Sequence, residues 1–272
     1  MAIALRRPRD DELLVNVLAE YVHDERLTQR LAFLRYVLGY EASSLFDMPG
    51  GLDRLAQQTQ EYWGVTAEHI ALRLTQYPYE VASASPEAAL QVLRAMKGGE
   101  KVIRNRRGLG FGRFARLDKF RYCQRCASDD KSAGIRPYCR RAHQLPGVAF
   151  CHLHGSLLLI SPVSARNPFE HDGGFDGFCQ KGVPVTLNRL CDDMALRCVL
   201  VAQRSAQVLH SAGPSDFFRQ QALYRERLAS AGYSFKADSV RLDDLSRDMV
   251  SFFGTGYLSW IGLYREGQRT RD

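Results

Sequence analysis

The sequence predicts a mainly α-helical protein: an N-terminal helical domain of helix-turn-helix type, a central zinc-finger or zinc-ribbon segment, and a C-terminal helical domain. Three observations predict it. Apolar residues recur at helical spacing through the first ninety or so positions, they do so again after residue 185, and between these regions Cys123, Cys126, Cys151 and His154 form a C-x2-C-x24-C-x2-H pattern. At 272 residues the chain exceeds the usual ~100–150 residue domain. The expected division is residues 1–97 for the N-terminal helices, 98–160 for a basic segment and the metal-binding core, 161–184 for an irregular linker, and 185–272 for the C-terminal helices.

Leu13, Leu14, Val17, Leu18 and Tyr21 fall on one helical face, and Asp10, Asp11 and Glu12 supply the negative charge that suits a helix N-terminus. Leu27, Leu31, Leu34 and Leu38 repeat the pattern as far as Gly39. Leu52, Leu55, Tyr62 and Trp63 predict a third helix ending at Gly64. Thr66 to His69 read as a cap for a fourth helix, Ile70 to Thr75, closed ahead of Pro78. Pro86 to Met96 is a fifth. A helix-turn-helix module fits this string, and so does a small helical bundle.

Ser161 to Pro184 is rich in proline and glycine, hence the linker assignment. Beyond it, Leu187, Leu190, Met194, Cys198, Val201 and Val208 line one helix face. Phe217, Leu223, Tyr224 and Leu228 line a second, and Leu242, Leu245, Met249, Phe252 and Phe253 a third, with Asp243 and Asp244 near its start.

Charge is distributed unevenly. The net charge is +7, yet Arg94–Gln144 alone holds 15 basic and 4 acidic residues, so this fifth of the chain carries +11 and the remainder −4. Neutralising nucleic-acid phosphates requires such clustering. Arg104, Arg106, Arg107, Arg113 and Arg116, interleaved with glycine and phenylalanine, are the candidate backbone contacts, and a solvated basic loop is the alternative. No apolar run approaches the ~18–20 residues of a membrane span, and MAIALRRPRDDE is charged where a signal peptide is apolar, which places the chain in the cytoplasm, away from membranes. In that reducing compartment the seven cysteines are thiols or metal ligands.

A two-residue gap lets both cysteines of a knuckle face one ion, and two knuckles complete a closed tetrahedral zinc site. Cys123, Cys126, Cys151 and His154 are the expected ligands, with His152 and His143 as spare imidazoles. Four protein ligands leave no open position, so one structural Zn2+ is expected and no catalytic residue is assigned. A second site would draw on His171, Cys179 and a neighbour. Cys191 and Cys198 lie on an apolar helix face, where free cysteines are usually buried. No Walker A, H-E-x-x-H or G-x-S-x-G motif is present, and Gly108 to Gly112 does not form a phosphate loop.

Phe120-Arg-Tyr-Cys-Gln-Arg-Cys126, Pro137-Tyr-Cys-Arg-Arg-Ala-His-Gln-Leu-Pro-Gly-Val148 and Cys151-His-Leu-His-Gly155 resemble the TniQ/TnsD family of transposition target-selection proteins. Pro8 with Glu12-Leu-Leu14, and Tyr77-Pro-Tyr79, are similar to that family's opening and to its Phe-Pro ahead of the zinc segment. The run Tyr224 to Tyr233, with Phe252-Phe253-Gly254, is similar to the longer TnsD-like members. Cys139 stands where the family has Trp, and Gln124 and His152 replace knuckle prolines, while the four ligands are kept.

The resemblance implies a non-catalytic adaptor in bacterial DNA transposition. Such an adaptor recognises a target, directly on DNA or through an RNA-guided CRISPR effector complex, and recruits a TnsC/TniB-like AAA+ ATPase. It also raises a role for the N-terminal segment: Ile3, Leu5, Arg6 and Arg7 join apolar residues to arginines with no evident core partner, as an arm offered to the ATPase would. The alternatives are a zinc-ribbon transcription regulator, which leaves the HQLPG run unexplained, and a zinc-dependent nucleic-acid enzyme, which needs an open metal position.

Overall fold

The computed structural model describes residues 3–40, 48–98, 118–165, 169, 179, 181–188, 190–211, 217–233, 235–236, 239–240 and 242–264. The N-terminal region comprises α1 (Leu14–Asp24), α2 (Arg30–Leu38), α3 (Leu52–Gln58), α4 (Gln60–Trp63), α5 (Ala67–Leu74), α6 (Tyr77–Glu80) and α7 (Pro86–Lys97). Their apolar faces meet in one core that includes Leu14, Leu18, Leu34, Leu38, Leu52, Leu55, Ile70, Val92 and Met96. Thr66 caps α5 by accepting from the His69 amide at 3.2 Å, and Ser85 caps α7 by accepting from Ala88 at 3.2 Å.

Two local expectations are corrected. The single helix expected up to Gly64 is broken at the buried Thr59, whose hydroxyl donates to the Leu55 carbonyl at 2.8 Å and competes with the helical ladder. The helix expected to close ahead of Pro78 does so, at Leu74, and Pro78 itself lies near the N-terminus of α6, where a missing amide costs nothing. In α2 the buried face is Leu34, Val37 and Leu38, whereas Leu31 is exposed.

After α7, β1 (Lys119–Tyr122) leads into α8 (Gln124–Ser132), a 3-10 turn (Ala142–Gln144), β2 (Leu159–Ser164) and β3 (Val183–Pro184). The three strands form an antiparallel sheet in the order β1-β2-β3. Ser161–Ser164 and Val183–Pro184 are therefore strand where a linker was expected. Val163 and Ala165 belong to the N-terminal core, as do Phe120, Tyr122 and Cys139, so that core extends beyond residue 97. The proline and glycine content of this stretch masked two short strands.

The remaining elements are α9 (Asp192–His210), α10 (Phe217–Ser230), the hairpin β4 (Phe235–Lys236) and β5 (Ser239–Val240), α11 (Leu242–Phe253) and α12 (Thr255–Trp260). The buried stripe of α9 is Cys198, Ala202, Ser205, Ala206 and Leu209, small side chains that admit close packing. It shares a second core with Leu145, Val148, Phe150, Leu158, Tyr257 and Leu258, and the three cysteines at 123, 126 and 151 lie in this core. Leu223 and Tyr224 of α10 are exposed. Among the described residues, no helix is long and apolar enough to cross a membrane.

Candidate metal centre

Cys123 ends the run of β1 and caps α8, whose first turn brings Cys126 round to the same side. The second knuckle is a tight turn. Cys151 accepts from the Gly155 amide at 2.9 Å through its carbonyl, and its own amide donates to Ser156 at 2.8 Å. Gly155 sits at φ +62°, a conformation that any side chain would strain.

These two turns bring Cys123, Cys126, Cys151 and His154 together, with their ligating atoms all within 4.8 Å of one another. Cys126 Sγ is 3.7 Å from Cys151 Sγ, and His154 Nδ1 lies 3.5, 3.3 and 3.6 Å from the sulfurs of Cys123, Cys126 and Cys151. A tetrahedral ion with metal–sulfur bonds of ~2.3 Å has donor–donor edges of about 3.8 Å, so the donor set fits a metal ion and its chemistry is consistent with zinc.

Asp129 was not singled out by sequence. Its Oδ2 lies 3.1 Å from His154 Nε2, so the carboxylate fixes the ring with Nδ1 toward the sulfurs. The available signal was its position three residues after Cys126, one turn along the same helix face.

The surrounding segment ties the cluster to both cores. Arg140 binds Asp130 of α8 through two bonds of 2.8 and 2.7 Å and lies over the Tyr138 ring. Arg141 donates to the carbonyls of Leu72 and Thr75 at the end of α5, each at 2.9 Å, and its Nε is 3.3 Å from Asp11. Arg121 is buried with no carboxylate partner among the described residues. It donates to the carbonyls of Val148 and Leu145 and lies over Trp260, and burial pushes its pKa down to about 9, which leaves it charged at neutral pH. Tyr257 of α12 donates to the Gly147 carbonyl at 2.6 Å. Cys139, one of the departures from the resemblance, is buried in the N-terminal core, and burial pushes its thiol well up.

Asp11 and Glu12 do not act as solvent-facing charges at a helix start. Asp11 accepts from the Ala142 amide and from His210, and Glu12 accepts from Arg6, Arg9 and Asn16. The arm reading of Ile3, Leu5, Arg6 and Arg7 is corrected accordingly. Ile3 and Leu5 are core residues, Arg6 is ion-paired with Glu12 and Glu20, and Arg7 is exposed with its Nε donating to the Tyr62 carbonyl at 3.2 Å.

Arg104, Arg106, Arg107, Arg113 and Arg116 lie outside the described residues, as does His171. Cys179 is buried and joins no metal-competent group among the described residues. Cys198 is buried as expected. Cys191 is exposed at the N-cap of α9, contrary to expectation, because the helix begins one residue later and its buried stripe starts at Cys198.

The spare imidazoles lie close by. His143 Nε2 and His152 Nδ1 are buried without a hydrogen-bond partner among the described residues, and an unsatisfied buried polar atom costs about 1–3 kcal/mol. Burial pushes His143 down to about 3, so it is neutral. His152 also lines a cleft of about 710 Å³ together with Asp11, Tyr138, Arg140, Gln207 and His210.

A family model, TniQ, matches residues 5–158. No curated protein matches the chain.

Proposed function

The chain belongs to the TniQ family, and from that premise we propose that it is a non-catalytic adaptor that recognises a transposition target and recruits an AAA+ ATPase. The observation that carries this reading is the family match, which takes in both the N-terminal helices and the whole Cys/His cluster. The target is a DNA site or a guide-RNA complex bound to DNA.

Zinc is the ion assigned to Cys123, Cys126, Cys151 and His154. Their three thiolates and one imidazole, with Asp129 behind the ring, suit a structural cross-link. Bound there, zinc supplies folding free energy and holds the two knuckles in register. The neighbouring side chains carry that order outward: Arg140 fixes α8, Arg141 the end of α5, and Arg121 the Leu145–Val148 turn.

Arg104, Arg106, Arg107, Arg113 and Arg116 are assigned to the DNA backbone, on the strength of the charge asymmetry. In the N-terminal segment Ile3 and Leu5 are buried, so an ATPase contact there falls on Arg7.

The test is a reconstitution in which ATPase recruitment to target DNA is measured with and without the chain. Recruitment that depends on the chain supports the adaptor; equal recruitment without it, or turnover of nucleic acid by the chain alone, overturns the reading.

A further inference from the structure

We infer that His143, Cys151 and His152 form a second metal site, which takes a zinc-type divalent cation and shares the Cys151 thiolate with the Cys123/Cys126/Cys151/His154 cluster. This rests on reading that cluster as a metal site. The ligating atoms of the three residues lie within 4.8 Å of one another. Two of the three residues present the sign of a missing partner. His143 is 1 % exposed, and its Nε2 is buried with no hydrogen bond among the described residues; Nδ1 of His152 is likewise buried and unpartnered among them.

Both rings are carried on backbone that is fixed by other bonds. His143 sits in the 3-10 turn between Ala142, whose amide donates to Asp11, and Gln144, whose side chain pairs with Arg121. His152 lies in the knuckle between two first-site ligands. Two neutral imidazoles and a thiolate form a borderline-soft donor set, which selects zinc or copper over magnesium or calcium. A thiolate bound to one ion retains lone pairs, so Cys151 can bridge two ions with no further proton to release. His152 also lines the cleft of about 710 Å³, and water or a donor group from that side would complete the second ion's coordination.

The full chain, expressed with zinc and freed of loose metal by gel filtration, is assayed for metal per chain and then titrated with Co2+ after metal removal. Two ions per chain are expected, and the second equivalent of Co2+ should add thiolate-to-cobalt absorption and new d–d bands. His143→Gln and His152→Gln should each hold one ion, with the spectrum of the first equivalent retained. One ion in the wild type, with a second equivalent that behaves as free cobalt, overturns this inference and leaves the first cluster standing. No ion at all overturns both. Two ions retained in both variants would place the second ion elsewhere and also overturn it. Should a variant fail to fold, the wild-type cobalt titration decides alone.

Discussion

The side-chain amide of Gln144 pairs with the backbone of Arg121 as a neighbouring strand would, accepting from its amide at 2.9 Å and donating to its carbonyl at 2.7 Å. The Arg121 guanidinium returns to Leu145 and Val148, so the turn after the 3-10 segment and strand β1 hold each other through four bonds. An open strand edge is thereby closed by one side chain.

Gln144→Glu is the discriminating substitution. It keeps an acceptor for the Arg121 amide but loses the donors to Arg121 and Arg140 carbonyls and buries a charge. Gln144→Leu loses both functions without adding charge. Each should cost about 2–4 kcal/mol, from buried groups left unpaired, with the Glu variant recovering part of the loss at acid pH as its carboxyl regains a proton. Urea unfolding of both variants at pH 5 and pH 8 checks this.

Asp11 governs a second junction. Burial alone would raise its pKa, but the hydrogen bond from His210 and the charge of Arg141 outweigh it, and the net shift is downward. A carboxylate with a depressed folded pKa contributes stability above its unfolded value, near ~3.9, and loses it as pH falls through the folded value. Asp11→Asn should therefore cost roughly 3–5 kcal/mol at neutral pH by unpairing Arg141, with the gap from wild type narrowing below about pH 4. The backbone here is at φ +54°, which Asn tolerates as Asp does, so the substitution reports charge and not strain. Urea midpoints across pH 3–7 give the two curves.

The arginines at 104, 106, 107, 113 and 116 predict a salt effect. If each contacts a duplex phosphate, neutralising it should reduce the slope of log affinity against log salt by about 0.9. Target-DNA binding measured from 50 to 200 mM salt, in single variants and in the fivefold variant, is the measurement. An unchanged slope in the fivefold variant assigns the charge to a solvated loop.

What was legible in the sequence was local. Helix α5 with its Thr66 cap, α7 after Ser85, and the four clustered donors all follow from spacing within a few residues, or from two such spacings repeated. What was missed depends on contacts across the fold. Arg6 looked free because its partners Glu12 and Glu20 lie on α1 and its approach, yet two acids eight residues apart in so apolar a stretch were the trace of it. Arg141 spans from the metal segment to α5, a pairing that no local pattern specifies. Strands β2 and β3 are short; the register of β2 is set by β1, which precedes the Cys/His residues in sequence, and that of β3 by β2.

Metal removal tests how far the cluster's order extends. Cys123, Cys126 and Cys151 are part of the second core, alongside Cys198 and Ala202 of α9 and Tyr257 and Leu258 of α12, so the knuckles form part of the surface on which the C-terminal helices dock, α6 forming another part against α9. The N-terminal core is built mostly from α1 to α7 and contains none of the four donors, though Phe120, Tyr122 and Ala127 beside them belong to it. Cys123→Ser, or chelation of the wild type, should therefore remove zinc and release α9 and α12, while α1 to α7 retain their packing. Structural zinc in small finger peptides supplies on the order of 10 kcal/mol, more than a docked helical face is expected to replace. Hydrogen exchange with and without chelator resolves the two regions: amides of α9 and α12 should lose protection by at least tenfold, and those of α1 and α5 by much less. Uniform loss throughout would mean that Arg141 and Asp11 couple the two cores into one cooperative unit, and Asp11→Asn in the zinc-bound protein should then loosen α9 as chelation does.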